Sequence, residues 1–180
     1  TEDPSNPSAT FTVTLSGLVS SDVTFNAATL LVGSATSGSD YSALALTPFT
    51  ITANTLSTII NVATIDDLTF EGSENFFIEL SSLSGNVIAG TLQGTGTIND
   101  NEVAPTISIN DASVTEDPSN PSVSFTVTLS GLVSTDVTFN AESLLIGSAT
   151  SGSDYSALAL SPFTITANTL SAIVNVATID

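Results

Sequence analysis

The chain has 180 residues, of which 18 are Asp or Glu and none is Lys, Arg or His, so its formal net charge is −18. No cationic side chain is present to neutralise phosphate, which excludes nucleic-acid binding through backbone contacts and binding to anionic membrane surfaces. The absence of Cys excludes disulfides and thiol chemistry.

Apolar residues alternate with polar ones in short runs, which predicts β-strands rather than amphipathic helices. In chain order, the apolar positions of these runs are Phe11, Val13 and Leu15; Val23 and Phe25; Phe49 and Ile51; Phe76, Ile78 and Leu80; and Ile107 and Ile109. The pair Phe76–Phe77 predicts one ring in the core and one on the opposite face of its strand. Residues 58–65 are also rich in β-forming residues, but their inward face is ambiguous. We predict an all-β fold of antiparallel, immunoglobulin-like β-sandwiches in tandem.

A tandem duplication organises the chain. Residues 1–66 return as residues 115–180 at an offset of 114, with 57 of the 66 positions identical. The polar sequence NDNEVAP separates the two copies. We expect residues 1–104 to form one repeat that lacks its first strand, the counterpart of residues 106–114. We expect residues 105–180 to start the next repeat, which is cut before its last strands. No stretch is long and apolar enough for a membrane span.

Acidic residues concentrate at predicted loops. Asp66, Asp67, Glu71 and Glu74 fall within nine residues, and further acids follow other strands or sit in the first and the Gly/Ser-rich loops. Loops that are distant in sequence converge at one end of a β-sandwich, where uncompensated carboxylates repel each other. A Ca²⁺ ion would relieve this repulsion because it accepts six to eight oxygen ligands in flexible geometry, whereas Mg²⁺ demands a tight octahedron. Taken singly, the same residues are also common turn formers.

Four segments in order, GSATSGSDY, VATIDD, FEGSENFFIEL and GTGTIND, resemble the Calx-beta domain, and the resemblance covers the whole repeat. It implies a β-sandwich that binds Ca²⁺ at one end through loop carboxylates. The ligands it implies are Glu2, Asp40, Asp66, Asp67, Glu71 and Asp100 in the first copy, and Glu116, Asp154 and Asp180 in the second. Glu74 matches a nearby acidic position with a less certain role. Family members with the fullest sites often have longer acidic runs where Leu68 and Asn101 stand here, which implies fewer ions or weaker binding.

The function that follows is a structural one. Without His, Lys, Arg or Cys, the chain lacks the usual bases and nucleophile partners, so we expect no enzyme. We expect a Ca²⁺-binding repeat of a long extracellular or cell-surface adhesin, filament or matrix protein, in which Ca²⁺ orders the domain ends and stiffens the array. Its expected partners are neighbouring repeats, including self-assembly into a filament. Two alternatives remain open: a module that binds a sugar or another ligand, and a regulatory Ca²⁺ sensor of the kind that the resemblance implies for sodium–calcium exchangers.

Overall fold

A computed structural model describes Ser5, residues 8–84, residues 87–117, Ser119 and residues 121–180. All regular elements in these ranges are β-strands, as the alternating pattern predicted. No helix in the described part of the chain is long and apolar enough to cross a membrane. The chain divides into two compact units: Thr1–Asp67 with Gly72–Asn101, and Leu68–Glu71 with Glu102–Asp180.

The first unit is a β-sandwich of a four-stranded and a two-stranded antiparallel sheet. The larger sheet has the order β3-β2-β6-β7, and the smaller one pairs β1 with β4. The strands are β1 Ser8–Thr14, β2 Val23–Gly33, β3 Thr47–Ile51, β4 Ser57–Ala63, β6 Ser73–Ser81 and β7 Gln93–Asn99. Apolar residues from both sheets form one core, which confirms the predicted sandwich.

The second unit repeats part of this arrangement. A three-stranded sheet has the order β13-β9-β8, while β11 pairs with β12 and β5 with β10. The pairing of β5 with β10 is parallel, and the others are antiparallel. The strands are β5 Thr69–Phe70, β8 Ile107–Ile109, β9 Ser122–Leu129, β10 Leu132–Val133, β11 Val137–Ala141, β12 Ser161–Ile165 and β13 Ser171–Ala177.

Three aromatic rings form the centre of the first core. Phe76 of β6 stacks on Tyr41 with ring centroids 4.5 Å apart, and it meets Phe11 of β1 edge-on at 5.8 Å. Phe76 is 0% exposed, whereas its neighbour Phe77 is half-buried. This confirms the prediction for the Phe76–Phe77 pair. Gly96 of β7 lies against the rings, because a Cβ there would come within 2.5 Å of Phe76.

The register of β4 with β1 determines which face of residues 58–65 points into the core. Ile60 of β4 is opposite Phe11 of β1, and both belong to the core, as does Val62. Ile59, which precedes Ile60 on the strand, is 55% exposed. Alternation also correctly predicted the strand β8, but Ile107 and Ile109 are both exposed there. A regular apolar alternation therefore located these strands without fixing how deeply each is buried.

Candidate metal centre

The Gly/Ser-rich loop holds Asp40 in a fixed position at one end of the first unit. The backbone amide of Thr36 donates a hydrogen bond to Oδ2 of Asp40. The carbonyl oxygen of Asp40 accepts from the amide of Ile65 at 2.9 Å, which ties this loop to the segment that follows β4. Asp40 is only 3% exposed, the one buried charged residue in the described part of the chain. Asp40 therefore fixes a turn, as acidic residues in loops commonly do, and it also faces other carboxylates.

The loop that precedes β6 brings two further acids to the same end. The amide of Gly72 donates to Oδ2 of Asp100 at 2.7 Å, so Asp100 at the end of β7 fixes the backbone between Glu71 and Glu74. The amide of Ala35 donates to the carbonyl oxygen of Asn75 at 2.9 Å, which joins the start of β6 to the Gly/Ser-rich loop. Loops that are separated in sequence therefore meet here, as expected for one end of a sandwich.

Three carboxylates form a close group at this end. Each of Asp40, Glu71 and Glu74 offers an oxygen atom, and these atoms lie within 4.8 Å of one another. Glu71 and Glu74 are half-buried, and Oε2 of Glu74 is itself buried. The donor set fits a hard divalent cation, because all three groups are carboxylate oxygens and Ca²⁺ selects such ligands.

Electrostatic repulsion inside the group is substantial. At an effective dielectric constant of about 20, two unit charges 4.8 Å apart repel each other by about 3.5 kcal/mol. The sequence contains no Lys, Arg or His that could offset this repulsion. The charge also affects the core beneath, since burial and then the charge of Asp40 raise the pKa of Tyr41. A divalent cation would neutralise charge that no side chain of this protein can neutralise.

Of the other ligands predicted for the first copy, Asp66, Asp67 and Asp100 are not members of this group. Oδ1 of Asp66 accepts a hydrogen bond from Nδ2 of Asn101 at 3.2 Å, and both Asp66 and Asp67 are exposed. Asp100 is half-buried and accepts from Gly72. Glu2 lies outside the described residues. Their role as ligands stays a prediction.

The second copy has the same loop but no comparable group of three acids among the described residues. Oδ2 of Asp154 accepts from the amide of Thr150 at 2.6 Å, as Asp40 does from Thr36. Asp154 is half-buried and lies with Glu116 along a groove of the second unit, whereas Asp180 is exposed. The counterparts of Glu71 and Glu74 are not part of this sequence.

Glu74 belongs to the carboxylate group in the structure, whereas sequence analysis assigned it a less certain role. It occupies the second position of β6, and Glu71 precedes it by three residues in the sequence FEGSEN. The alternation of residues along β6 could have predicted this position. Phe76 and Ile78 face the core, so Glu74 belongs to the same side of the strand, towards the buried Asp40.

Comparison with known proteins supports the fold. The family model of the Calx-beta domain matches residues 5–102 and 99–161. The structure of CBD12 from CALX1.2 aligns with a TM-score of 0.51 and 20% identity, over 99% of this chain and 70% of that one. The structure of the calcium binding domain CBD12 of CALX1.1 aligns with a TM-score of 0.51 and 19% identity, over 99% and 71%. A search of curated proteins finds no match. The two family matches together span most of the sequence, and the chain belongs to the Calx-beta domain family.

Proposed function

We propose that this chain is a non-enzymatic, Ca²⁺-binding structural segment made of Calx-beta repeats with a period of 114 residues. The observation that supports the cation is the group of Asp40, Glu71 and Glu74, whose oxygens lie within 4.8 Å of one another in a chain without cationic side chains. One structural neighbour, CBD12 of CALX1.1, is a calcium binding domain. Asp66, Asp67 and Asp100 are proposed as additional ligands from the adjoining loops.

The mechanism is cation-dependent ordering of a domain end. The three acids come from the Gly/Ser-rich loop and from the segment that enters β6. Bound Ca²⁺ would connect these segments where, without it, their charges repel. The repeats are proposed to divide near residue 104, so ordered ends beside this junction would stiffen an array of them. Nearly identical copies suit a protein in which length matters more than one unique site.

The setting we propose is the exterior of a cell. A chain without Lys or Arg offers no cleavage site to trypsin-like proteases, which suits an extracellular adhesin, filament or matrix protein. Neighbouring repeats of the same protein are the proposed partners. A regulatory Ca²⁺ sensor would use the same carboxylates, but it would transmit a change of shape to another domain. A structural repeat would gain stability and order alone.

Calorimetric titration of the chain with Ca²⁺ and with Mg²⁺ tests the cation site. Glu74→Gln should weaken Ca²⁺ binding by roughly tenfold or more, because it removes a charged ligand. Glu79→Gln is the matched control, since Glu79 lies on the same strand but is exposed and outside the group. Equal Ca²⁺ binding by both variants, or no binding by the unaltered chain, would refute the proposed site. Reduced binding by Asp66→Asn/Asp67→Asn would add these two residues to the ligands.

A further inference from the structure

The strand β4 has one edge along which no other described strand pairs. The small sheet of the first unit contains β1 and β4, so β4 pairs with β1 on one side alone. The amide of Leu15 donates to the carbonyl oxygen of Leu56 at 2.8 Å, which places the even-numbered residues of β4 in the hydrogen-bonded pairs with β1. The N–H and C=O groups of the odd-numbered residues therefore point to the opposite edge.

This edge is covered at one end and open along the rest. The amide of Ser42 donates to the carbonyl oxygen of Ala63 at 2.9 Å, on the side away from β1. Ser57, Ile59 and Asn61 precede Ala63 along the same edge. No described residue forms a hydrogen bond with their outward N–H and C=O groups. Three consecutive donor–acceptor pairs of this kind can accept a further strand.

The open edge of β4 has none of the features that usually prevent strand pairing. Its sequence, STIINVA, contains no charged residue, no Pro and no Gly. By contrast, β3 at the edge of the larger sheet contains Pro48, a residue that commonly protects an edge. Because the chain has a net charge of −18, an uncharged edge is a place where two copies can approach each other with little local repulsion.

The second unit presents the same edge. The strand β13 is the outermost strand of its sheet, in the order β13-β9-β8. Its residues Ser171, Ile173 and Asn175 are exposed, as their counterparts on β4 are. Ile59 at the centre of the first edge is 55% exposed, and Ile173 is 59% exposed. Each unit therefore exposes an apolar side chain in the middle of an open, uncharged edge.

The side chains of this edge are complementary to a second copy of the same edge. In an antiparallel pair centred on Ile59, the two Ile59 side chains are opposite each other, and Ser57 is opposite Asn61. Oδ1 of Asn61 accepts a hydrogen bond from Oγ1 of Thr10 at 3.0 Å, so its Nδ2 remains available to donate. The hydroxyl of Ser57 has no hydrogen-bond partner among the described residues. Asn61 of one copy can therefore donate to Ser57 of the other.

We propose that the open edge of β4 is an association site for another copy of the repeat, which pairs with it in antiparallel orientation through its own β4 or β13 edge. Ser57, Ile59 and Asn61 would each exchange two backbone hydrogen bonds with the residue opposite. The small sheets of two copies would then form one continuous sheet. This inference deepens the proposed function, whose partners are repeats of the same protein, but it does not depend on the Ca²⁺ site.

Sedimentation of the full chain in chelator, at an ionic strength that screens its net charge, tests this association. The test variant is Ile59→Lys/Ile173→Lys, because Lys side chains directly opposite each other across the new strand pair repel. The control is Thr12→Lys/Thr126→Lys. Thr12 and Thr126 are opposite Ile59 and Ile173 on the neighbouring strands β1 and β9. The control therefore adds the same charge to the same sheet, one strand away from the edge.

We expect the unaltered chain, with two open edges, to associate reversibly beyond the dimer. Ile173→Lys alone leaves one open edge and should form dimers at most. Ile59→Lys/Ile173→Lys should raise the dissociation constant by about tenfold or more, while the control associates like the unaltered chain. A chain that stays monomeric up to about 1 mM would overturn the proposal. Equal weakening by the control would also overturn it, because that result indicates contact through the sheet face.

Amide hydrogen exchange of the unaltered chain gives a readout that needs no variant to fold. In the monomer, the amides of Ser57, Ile59 and Asn61 should exchange quickly, whereas those of Thr58 and Ile60, which face β1, should exchange slowly. Association should slow the exchange of the first three amides by about tenfold or more. Equal exchange in the monomer and the assembly would overturn the edge pairing. Because this experiment is done in chelator, its failure and the failure of the Ca²⁺ titration are distinguishable.

Discussion

Replacing Phe76 with Ala removes the ring that joins the two sheets of the first unit. Phe76 is fully buried, stacks on Tyr41 and meets Phe11 edge-on. Truncation of a buried Phe to Ala costs about 3–5 kcal/mol of unfolding free energy. Each of the two aromatic contacts contributes about 0.5–1.5 kcal/mol beyond area burial. We therefore expect a loss of about 4–5 kcal/mol.

Phe77→Ala is the matched control, because it makes the same chemical change one residue away on the opposite face. Its ring is half-buried, so we expect a cost of about 1 kcal/mol. Both variants are made in a Tyr155→Phe chain, where tyrosine fluorescence reports on Tyr41 and hence on the first unit. Urea unfolding should show a midpoint lower by about 2–5 M for Phe76→Ala, at an m value of about 1–2 kcal/mol/M.

Two results would refute this reasoning. The first is a Phe77→Ala variant that loses as much stability as Phe76→Ala, since that would reverse the assignment of the two faces. The second is a cost below about 1 kcal/mol for Phe76→Ala, which is too small for a ring in a close-packed core. The m values must agree between variants for either comparison to stand, because a changed m value reports a changed unfolded or native state.

Three further predictions concern the same unit. Gly96→Ala should lower the unfolding free energy by about 1–3 kcal/mol, because the added methyl group overpacks against Phe76. Gly90→Ala, with open space around it, should change the unfolding free energy by no more than about 0.5 kcal/mol. Similar urea midpoints for the two variants would contradict the packing described. Ile60→Ala should cost about 2–5 kcal/mol and Ile59→Ala less than about 1 kcal/mol, and the reverse order in thermal unfolding would put the wrong face of β4 in the core. In a Tyr155→Phe chain, ultraviolet titration should give Tyr41 a higher pKa in the folded state than in urea, because burial and the charge of Asp40 both raise it. The contribution of the Tyr41 hydroxyl to folding stability is then complete below about pH 10 and is lost as the pH rises further. Equal pKa values of Tyr41 in the two states would contradict this.

The alternation of apolar residues was enough to predict the strands and the β-sandwich. The burial of individual side chains, however, depended on pairing between strands that are distant in sequence. Residues 58–65 contain apolar side chains on both faces, and only the register with β1 places Ile60 rather than Ile59 inside. Strand length was equally beyond local prediction. Leu30 lies in β2, whereas its counterpart Leu144 lies outside β11, because only the first has β6 beside it.

The sequence predicted only part of the candidate metal site. Convergence of loops at one end of a sandwich predicted that Asp40 and Glu71 would meet, and they do. Glu74 completes their group, because it lies on the core-facing side of β6 rather than in the loop itself. Asp100, which is proposed as an additional ligand, accepts a hydrogen bond from the amide of Gly72, just as Asp40 accepts one from the amide of Thr36. Acidic composition alone does not distinguish a side chain that faces a cation from one that fixes a turn.

Thermal unfolding at constant ionic strength with Ca²⁺, with Mg²⁺ and with chelator tests the central claim most directly. A cation that binds only the folded state adds about 2.7 kcal/mol at a concentration 100 times its Kd. For a unit of this size, that corresponds to a rise in Tm of about 10–20 °C. The account predicts such a rise with Ca²⁺, little with Mg²⁺, and its loss in Glu74→Gln but not in Glu79→Gln. An unchanged Tm, or an equal rise with both cations, would contradict a Ca²⁺ site formed by Asp40, Glu71 and Glu74.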